Sequence, residues 1–114
     1  MQRRAQSILR ALQPRADALL TPALVLDLAA IEHNVAAMAT FAGSGRWRPH
    51  IKTYKHPAVV RALLEAGVTA FKCATVDELE LALHAAESTP IDVLVAYPLH
   101  AGAVAAAARL AAAH

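Results

Sequence analysis

Short apolar runs alternate along the chain with longer stretches in which apolar residues recur every three or four positions. The short runs are typical of buried strands and the longer stretches of amphipathic helices. Strands are predicted at residues 23–26, 70–74 and 91–97, and a further strand is predicted to end at Lys52. Because strands alternate with helices through short connections, the pattern predicts an α/β fold with parallel strand pairing.

The first amphipathic stretch follows the run at residues 23–26. Asp27 can cap a helix there, and Gly43 and Gly45 can end it. Its apolar face would bury residues at three- and four-residue steps, namely Leu28, Ile31, Val35, Met38 and Phe41. Met38 and Phe41 are therefore expected in the core.

The next two helices have clearer start and stop signals. Pro57 fits the first turn of a helix, and Gly67 can end that helix in a left-handed conformation. Thr75 and Glu78 match the S/T-x-x-E capping box of the following helix, so Thr75 is interpreted as a cap rather than a catalytic residue. Residues 101–114 contain nine alanines, which predicts a final helix.

A basic segment lies between the first two helices. Arg46, Arg48, Lys52 and Lys55 fall within ten residues, and no acidic residue occurs between Glu32 and Glu65. Side chains alternate along a strand, so His50 and Lys52 are expected on one face, with His50 one layer below the lysine. The segment suits an anion, although short basic stretches are most often solvated loops.

Composition narrows the class of protein. Hydrophobic residues make up 57% and charged residues 18% of the 114 residues, which excludes a disordered chain. A net charge of +2 argues against a nucleic-acid-binding surface. No apolar run approaches the roughly 20 residues of a membrane span, and the single cysteine, Cys73, agrees with a reducing compartment. A soluble, cytoplasmic protein is expected.

Residues 1–20 are interpreted as an extension that precedes the domain. They carry four arginines and one acidic residue, with Ile8, Leu9 and Leu12 at helical spacing. A leading helix that ends near Pro14 is the favoured interpretation. An arginine-rich transit segment is the alternative.

Other motifs are missing or weak. Neither of the common glycine-rich phosphate loops occurs. His50 and His56 lack cysteine or carboxylate neighbours in sequence, so no metal ligand is assigned. Cys73 lies in a predicted strand and is interpreted as a buried apolar residue rather than a nucleophile.

Four segments in a fixed order resemble the D-threonine aldolase and D-serine dehydratase family and, more distantly, the alanine racemase N-terminal barrel. They are TPALVLDLAAIEHN at 21–34, RPHIKTYK at 48–55, LEAG at 64–67 and FKCAT at 71–75. The resemblance implies that Lys52 binds pyridoxal 5′-phosphate (PLP) as a Schiff base. Because His50 is expected one layer below Lys52, it is predicted as a second cofactor-binding residue. Tyr54 departs from the family pattern, since many relatives have histidine there.

The resemblance also implies a fold and an activity. Because a (β/α)8 barrel needs about 250 residues, residues 21–114 are expected to form the first three or so βα units of an incomplete barrel. The implied activity is that of a lyase on D-3-hydroxy amino acids, by cleavage to glycine and an aldehyde or by elimination of water. A homodimer, and a divalent metal bound outside this chain, are implied for the full-length protein.

Two other functions stay open. One is a PLP-binding carrier without catalytic activity, built on the same barrel. The other is a small anion-binding module that uses Arg46, Arg48, Lys52 and Lys55.

Overall fold

The computed structural model describes residues 2–43 and 45–114 and shows a mixed α/β arrangement that is mostly helical. The helices are α1 (Gln2–Leu12), α2 (Leu28–Ala42), α3 (Pro57–Glu65), α4 (Val76–Ala86) and α5 (Ala101–Ala113). Two strands, β1 (Ala70–Cys73) and β2 (Asp92–Val95), pair in parallel, with Ala70 opposite Asp92 and Cys73 opposite Val95. Two short 3₁₀ helices lie at Gln13–Ala18 and Ile51–Thr53.

The capping signals of the sequence act as predicted. The Asp27 carboxylate accepts a hydrogen bond from the Ala30 N–H at 3.0 Å, and the Thr75 hydroxyl accepts one from the Glu78 N–H at 3.2 Å. Pro57 opens α3, and Gly67 follows that helix with φ of +80°. These caps satisfy amide groups that a helix leaves unpaired at its first turn.

The core lies between β1 and the inner faces of α3 and α4. Phe71 and Cys73 of β1 are fully buried, and Val60 and Leu63 of α3 pack in the same cluster. From α4 the cluster receives Leu79 and Ala82. The second face of the sheet carries less cover, since the β2 residue Leu94 is 51% exposed.

Two strand predictions were wrong or too long. Residues 23–26 form no strand, because they pair with no other strand among the described residues, and Leu24 and Val25 are largely exposed. The strand predicted to end at Lys52 is reduced to a single parallel bridge between His50 and Lys72. The described residues therefore contain two paired parallel strands, consistent with part of the predicted first three or so βα units, and they show no barrel.

The prediction that Met38 and Phe41 belong to the core was also wrong. Met38 is 40% exposed and Phe41 is 84% exposed, whereas Val35 alone of the α2 residues is buried. Helical spacing identifies the apolar face of α2, but among the described elements the main neighbour of α2 is α3, which covers only part of that face. Met38 and Phe41 are exposed because few other described elements pack against this face of α2.

The N-terminal segment is helical and its helix ends near Pro14, as predicted, which is compatible with both a leading helix and a transit segment. Helix α1 ends at Leu12, and Pro14 lies in the first turn of the 3₁₀ helix that follows. Ile8 and Leu12 are partly buried beside Val25 and Leu28.

Arg48 lies two residues before the bridge at His50 and is hydrogen-bonded to both β1 and β2. Its guanidinium donates to the Phe71 carbonyl at 3.0 Å and to the Asp92 carbonyl at 3.1 Å, and it forms an ion pair with the Asp92 carboxylate. The hydrogen bond from Arg48 lowers the pKa of Asp92, and the same bond raises the pKa of Arg48. Arg48 therefore satisfies carbonyl groups of both strands.

We expect Phe71→Ala to reduce the free energy of unfolding by about 3–5 kcal/mol, because it leaves a large cavity at the centre of the core. Phe41→Ala is the matched control and should change it by no more than about 0.5 kcal/mol, since Phe41 is exposed. Urea unfolding followed by circular dichroism measures both values. Equal losses for the two variants would contradict the placement of α2.

The Arg48–Asp92 pair should make stability depend on pH. Because the folded state lowers the Asp92 pKa, the pair stabilises the fold above the ordinary carboxyl pKa of 3.8, and this contribution is lost as the pH falls through the lower, folded value. The difference in urea midpoint between the parent chain and Asp92→Asn should therefore be present near neutral pH and vanish in acid. Asp17→Asn, outside the sheet, should show no such change; a difference for Asp92→Asn that persists in acid would refute the assignment.

Candidate PLP-binding site

The candidate site lies at the carboxyl edge of the parallel sheet. The segment before Lys52 runs beside β1, since the Lys72 N–H donates to the Pro49 carbonyl at 2.9 Å and His50 bridges Lys72 in parallel. Carboxyl ends of parallel strands lie at the same edge, which brings residues after His50 close to residues after Cys73. In open and closed α/β sheets this is the edge at which ligands bind.

Lys52 lies in the 3₁₀ turn Ile51–Thr53 and its side chain is exposed. The turn is held by His50, whose Nδ1 accepts from the Lys52 N–H at 3.3 Å and whose carbonyl accepts from the Thr53 hydroxyl at 3.2 Å. The predicted alternation of His50 and Lys52 on one strand face was wrong, because the strand geometry ends at His50. His50 is instead joined to Lys52 by a hydrogen bond.

His50 has an unused polar atom. Its Nε2 is buried and has no hydrogen-bond partner among the described residues. Because Nδ1 accepts a hydrogen bond, the neutral ring carries its proton on Nε2. Burial, followed by the charges of Lys52 and Lys72, lowers the His50 pKa, while Glu78 and, to a smaller extent, an interaction with the Lys72 backbone oppose this change. That backbone contact does not meet the distance and angle of an ordinary hydrogen bond, so Nε2 remains a donor without a well-formed partner, directly beside Lys52.

The three lysines of the chain lie close to this segment: Lys52 and Lys55 follow His50, and Lys72 of β1 is the bridge partner of His50. Lys72 is half-buried, and no carboxylate of the described residues pairs with it. Lys55 pairs with Glu78, its Nζ lying 3.2 Å from Oε1. Three ammonium groups against one carboxylate leave an excess of positive charge, which suits a phosphorylated ligand.

Glu78 is a feature of the site that sequence reasoning missed. Its side chain is only 4% exposed, and its Oε2 accepts from the Ala74 N–H at 2.7 Å. The capping box pointed to this glutamate, but in that motif the carboxylate usually bonds the amide of the cap residue. Here it bonds the amide one residue earlier, at the end of β1, and so turns its second oxygen towards Lys55.

Two further groups near Glu78 stay protonated. Burial, with Glu78 as the second cause, raises the pKa of Tyr54 to about 12 and that of the Cys73 thiol to about 11. The Tyr54 hydroxyl is buried without a hydrogen-bond partner in the described part of the chain. Cys73 is fully buried, which confirms its interpretation as a core residue and not a nucleophile.

The two arginines of the basic segment serve the fold. Arg48 binds the sheet carbonyls and Asp92, and Arg46 donates from Nε to the Ala42 carbonyl at 3.0 Å, at the end of α2. Sequence reasoning had grouped both with Lys52 and Lys55 as candidate anion ligands. The structure brings only the lysines and His50 together.

Neither a metal cluster nor a membrane-spanning helix occurs in residues 2–43 and 45–114. No three histidine, cysteine, aspartate or glutamate side chains of these residues converge on a point suited to a metal ion. No helix among them has the length and apolar character to cross a bilayer.

A lysine at the carboxyl edge of a parallel sheet, with an imidazole and two further lysines nearby, is an α/β arrangement whose charge and amine suit a phosphorylated carbonyl compound. The family model described as alanine racemase, N-terminal domain, matches residues 26–113. The chain therefore belongs to the alanine racemase N-terminal domain family, whose members are PLP-binding barrels of fold type III. No curated protein and no solved structure gives a significant match.

The residues present fit the cofactor. PLP carries an aldehyde, a phosphate and a ring with polar substituents. The exposed Lys52 amine suits the aldehyde, the unpaired Lys72 ammonium suits the phosphate, and His50 Nε2 is a buried donor without an acceptor. The assignment of Lys52 and His50 to cofactor binding stays a prediction, which the geometry makes chemically reasonable.

Proposed function

We propose that Lys52 is the residue to which PLP is attached and that His50 contacts the bound cofactor. The observation that carries this proposal is the buried Nε2 of His50, which has no acceptor in the described chain and lies on the ring that binds the Lys52 amide. A buried donor without an acceptor costs free energy, so a ligand that supplies the acceptor is favoured at this position.

In this proposal, three side chains have different roles in cofactor binding. Lys52 holds the cofactor, His50 donates a hydrogen bond from Nε2, and Lys72 contributes positive charge towards the phosphate. The Tyr54 phenol stays protonated because of its raised pKa and so can donate but cannot act as a base near neutral pH. When bound, PLP supplies an electron sink that allows a bond at the substrate Cα to break.

We infer further that the full-length protein is a lyase acting on D-3-hydroxy amino acids, with a divalent metal held outside this chain. The support is the order of the four segments at 21–34, 48–55, 64–67 and 71–75, which resembles the D-threonine aldolase and D-serine dehydratase family. The family match supports PLP chemistry in general and covers the last three of these segments entirely. A homodimer is proposed for the full-length protein on the same resemblance.

A PLP carrier without turnover is the second candidate. Two observations favour it. Lys52 is exposed, and among the described residues His50 is the one imidazole or carboxylate group hydrogen-bonded to the turn that carries Lys52. A lyase needs a group that acts at the substrate hydroxyl, and none is identified in the described residues. Trapping experiments and substrate protection separate the two candidates.

Incubation with PLP followed by borohydride reduction should label Lys52. Peptide mapping can resolve all cases, because the chain has only three lysines. Arg61→Lys places a reference lysine on the exposed face of α3, and Lys52 should be labelled at least about tenfold faster than this reference, since phosphate binding raises the local concentration of the aldehyde. Lys52→Arg should remove the fast label. A fast label on another lysine, or labelling of Lys52 at the reference rate, would contradict the proposal.

D-threonine should protect Lys52 from borohydride trapping more strongly than L-threonine, because a D-specific site accepts only one configuration at Cα. Glycine release by the 114-residue chain should be absent or slight, since a barrel site is assembled from loops after several strands and the structure supplies two. Equal protection by the two enantiomers would argue against the lyase and for the carrier. Glycine release at a normal enzymatic rate would show that the described site is sufficient.

A further inference from the structure

Glu78 is a buried carboxylate whose two oxygens hold separate parts of the chain. Oε2 accepts from the Ala74 N–H at 2.7 Å, directly after β1, and Oε1 lies 3.2 Å from Lys55 Nζ. Burying a carboxylate is costly unless it is paired and hydrogen-bonded. Glu78 has both kinds of partner, and neither partner lies on its own helix.

Lys55 is the residue through which Glu78 reaches the site. It follows Lys52 by three positions, and its N–H donates to the Ile51 carbonyl at 2.9 Å, which closes the turn that contains Lys52. Its φ is +43°, a left-handed conformation that is unfavourable for a residue with a side chain. A turn with this backbone needs an outside contact to keep it in place, and the ion pair with Glu78 provides one.

The contact spans a junction between elements. Lys55 lies in the connection from the 3₁₀ turn Ile51–Thr53 to α3, whereas Glu78 lies in the first turn of α4. The pair therefore joins the lysine-bearing turn to the end of the central strand. The Glu78 charge partly opposes the lowering of the His50 pKa and adds to the raising of the Tyr54 pKa. Glu78 therefore acts electrostatically on two neighbours of Lys52.

We propose that Glu78 is a positioning residue for the Lys52 site: by holding Lys55 it fixes the turn that presents the Lys52 amine at the carboxyl edge of the sheet. This inference rests on the proposed function, in which Lys52 binds PLP. Glu78 does not touch the cofactor in this scheme. It acts through Lys55 and the backbone of the turn.

The rate of PLP labelling at Lys52 tests the proposal. Glu78→Gln keeps the size of the side chain and an acceptor for the Ala74 N–H, but it removes the charge that holds Lys55. We expect labelling of Lys52 to slow about tenfold, as a displaced reacting group loses rate steeply with small shifts in position. Glu80→Gln makes the same chemical change at an exposed position of α4 and should leave the rate unchanged.

Substitutions at Lys55 separate the ion pair from the backbone conformation. Lys55→Arg keeps the cation and should keep most of the labelling rate. Lys55→Gly accepts the positive φ without strain but loses the ammonium group, and it should slow labelling as much as Glu78→Gln. The double variant Lys55→Gly/Glu78→Gln should be no slower than either single variant, because both remove the same contact.

A general loss of stability has to be distinguished from a loss of positioning. Leu110→Ala on α5 lowers stability without touching the turn, and its labelling rate at Lys52 should match the parent chain at a temperature where both are folded by circular dichroism. Slow labelling of Leu110→Ala, or parent-like labelling of both Glu78→Gln and Lys55→Gly, would overturn the proposal. If Glu78→Gln does not fold, the comparison of Lys55→Gly with Lys55→Arg decides.

The outcomes also separate this proposal from the proposed function. If Lys52 of the parent chain is labelled no faster than the reference lysine of Arg61→Lys, the proposed function fails and the role of Glu78 falls with it. If Lys52 is labelled rapidly in the parent chain, in Glu78→Gln and in Lys55→Gly, the proposed function stands. In that case Glu78 is a structural residue alone.

Discussion

Backbone hydrogen bonds on both sides of β1 are the constraint on which the rest of the structure depends. On one side the Lys72 N–H donates to the Pro49 carbonyl, and on the other the Asp92 and Ala96 amides donate to the carbonyls of Thr69 and Cys73. Peptide groups removed from water need such partners. Because β1 is central and buried, its pairing determines the register and direction of the segment before Lys52 and of β2. Arg48 strengthens the arrangement by binding carbonyl groups of both strands.

The charged groups follow from that placement. The end of β1 presents an amide at Ala74, and the first turn of α4 brings Glu78 to it. Once buried there, the carboxylate attracts Lys55 and affects the ionisation of His50, Tyr54 and Cys73. A helix-capping residue thus becomes part of the electrostatic environment of the candidate site. Glu78 therefore both holds the first turn of α4 to the end of β1 and contributes negative charge beside Lys55.

Several large apolar residues of α2 and β2 are exposed, because few other described elements pack against them. Helix α2 exposes Leu28, Met38 and Phe41, and the sheet exposes Leu94. The α2 residues have the spacing of a buried face, and Leu94 lies on the less covered face of the sheet. The prediction of burial failed at Met38 and Phe41 of α2, whereas α3 is better covered. Helix α3 has both α2 and α4 as neighbours, and three of its residues are buried.

The sequence by itself determined where most helices begin and end, since caps, glycine stops and helical periodicity act over a few residues and do not require the rest of the fold. Of the family resemblance, the wider alanine racemase N-terminal domain family is confirmed. Asp27, Pro57, Gly67 and Thr75 all act as their positions predicted. Lys52 could be singled out as a candidate from its basic surroundings and from the resemblance. Only the tertiary structure decided that the segment before Lys52 forms one bridge and then a 3₁₀ turn, that Arg46 and Arg48 serve the fold, and that Glu78 reaches Lys55. The bridge at His50, the contacts of Arg48 and the Glu78–Lys55 pair depend on contacts between residues far apart in the chain, and neither periodicity nor composition records such contacts.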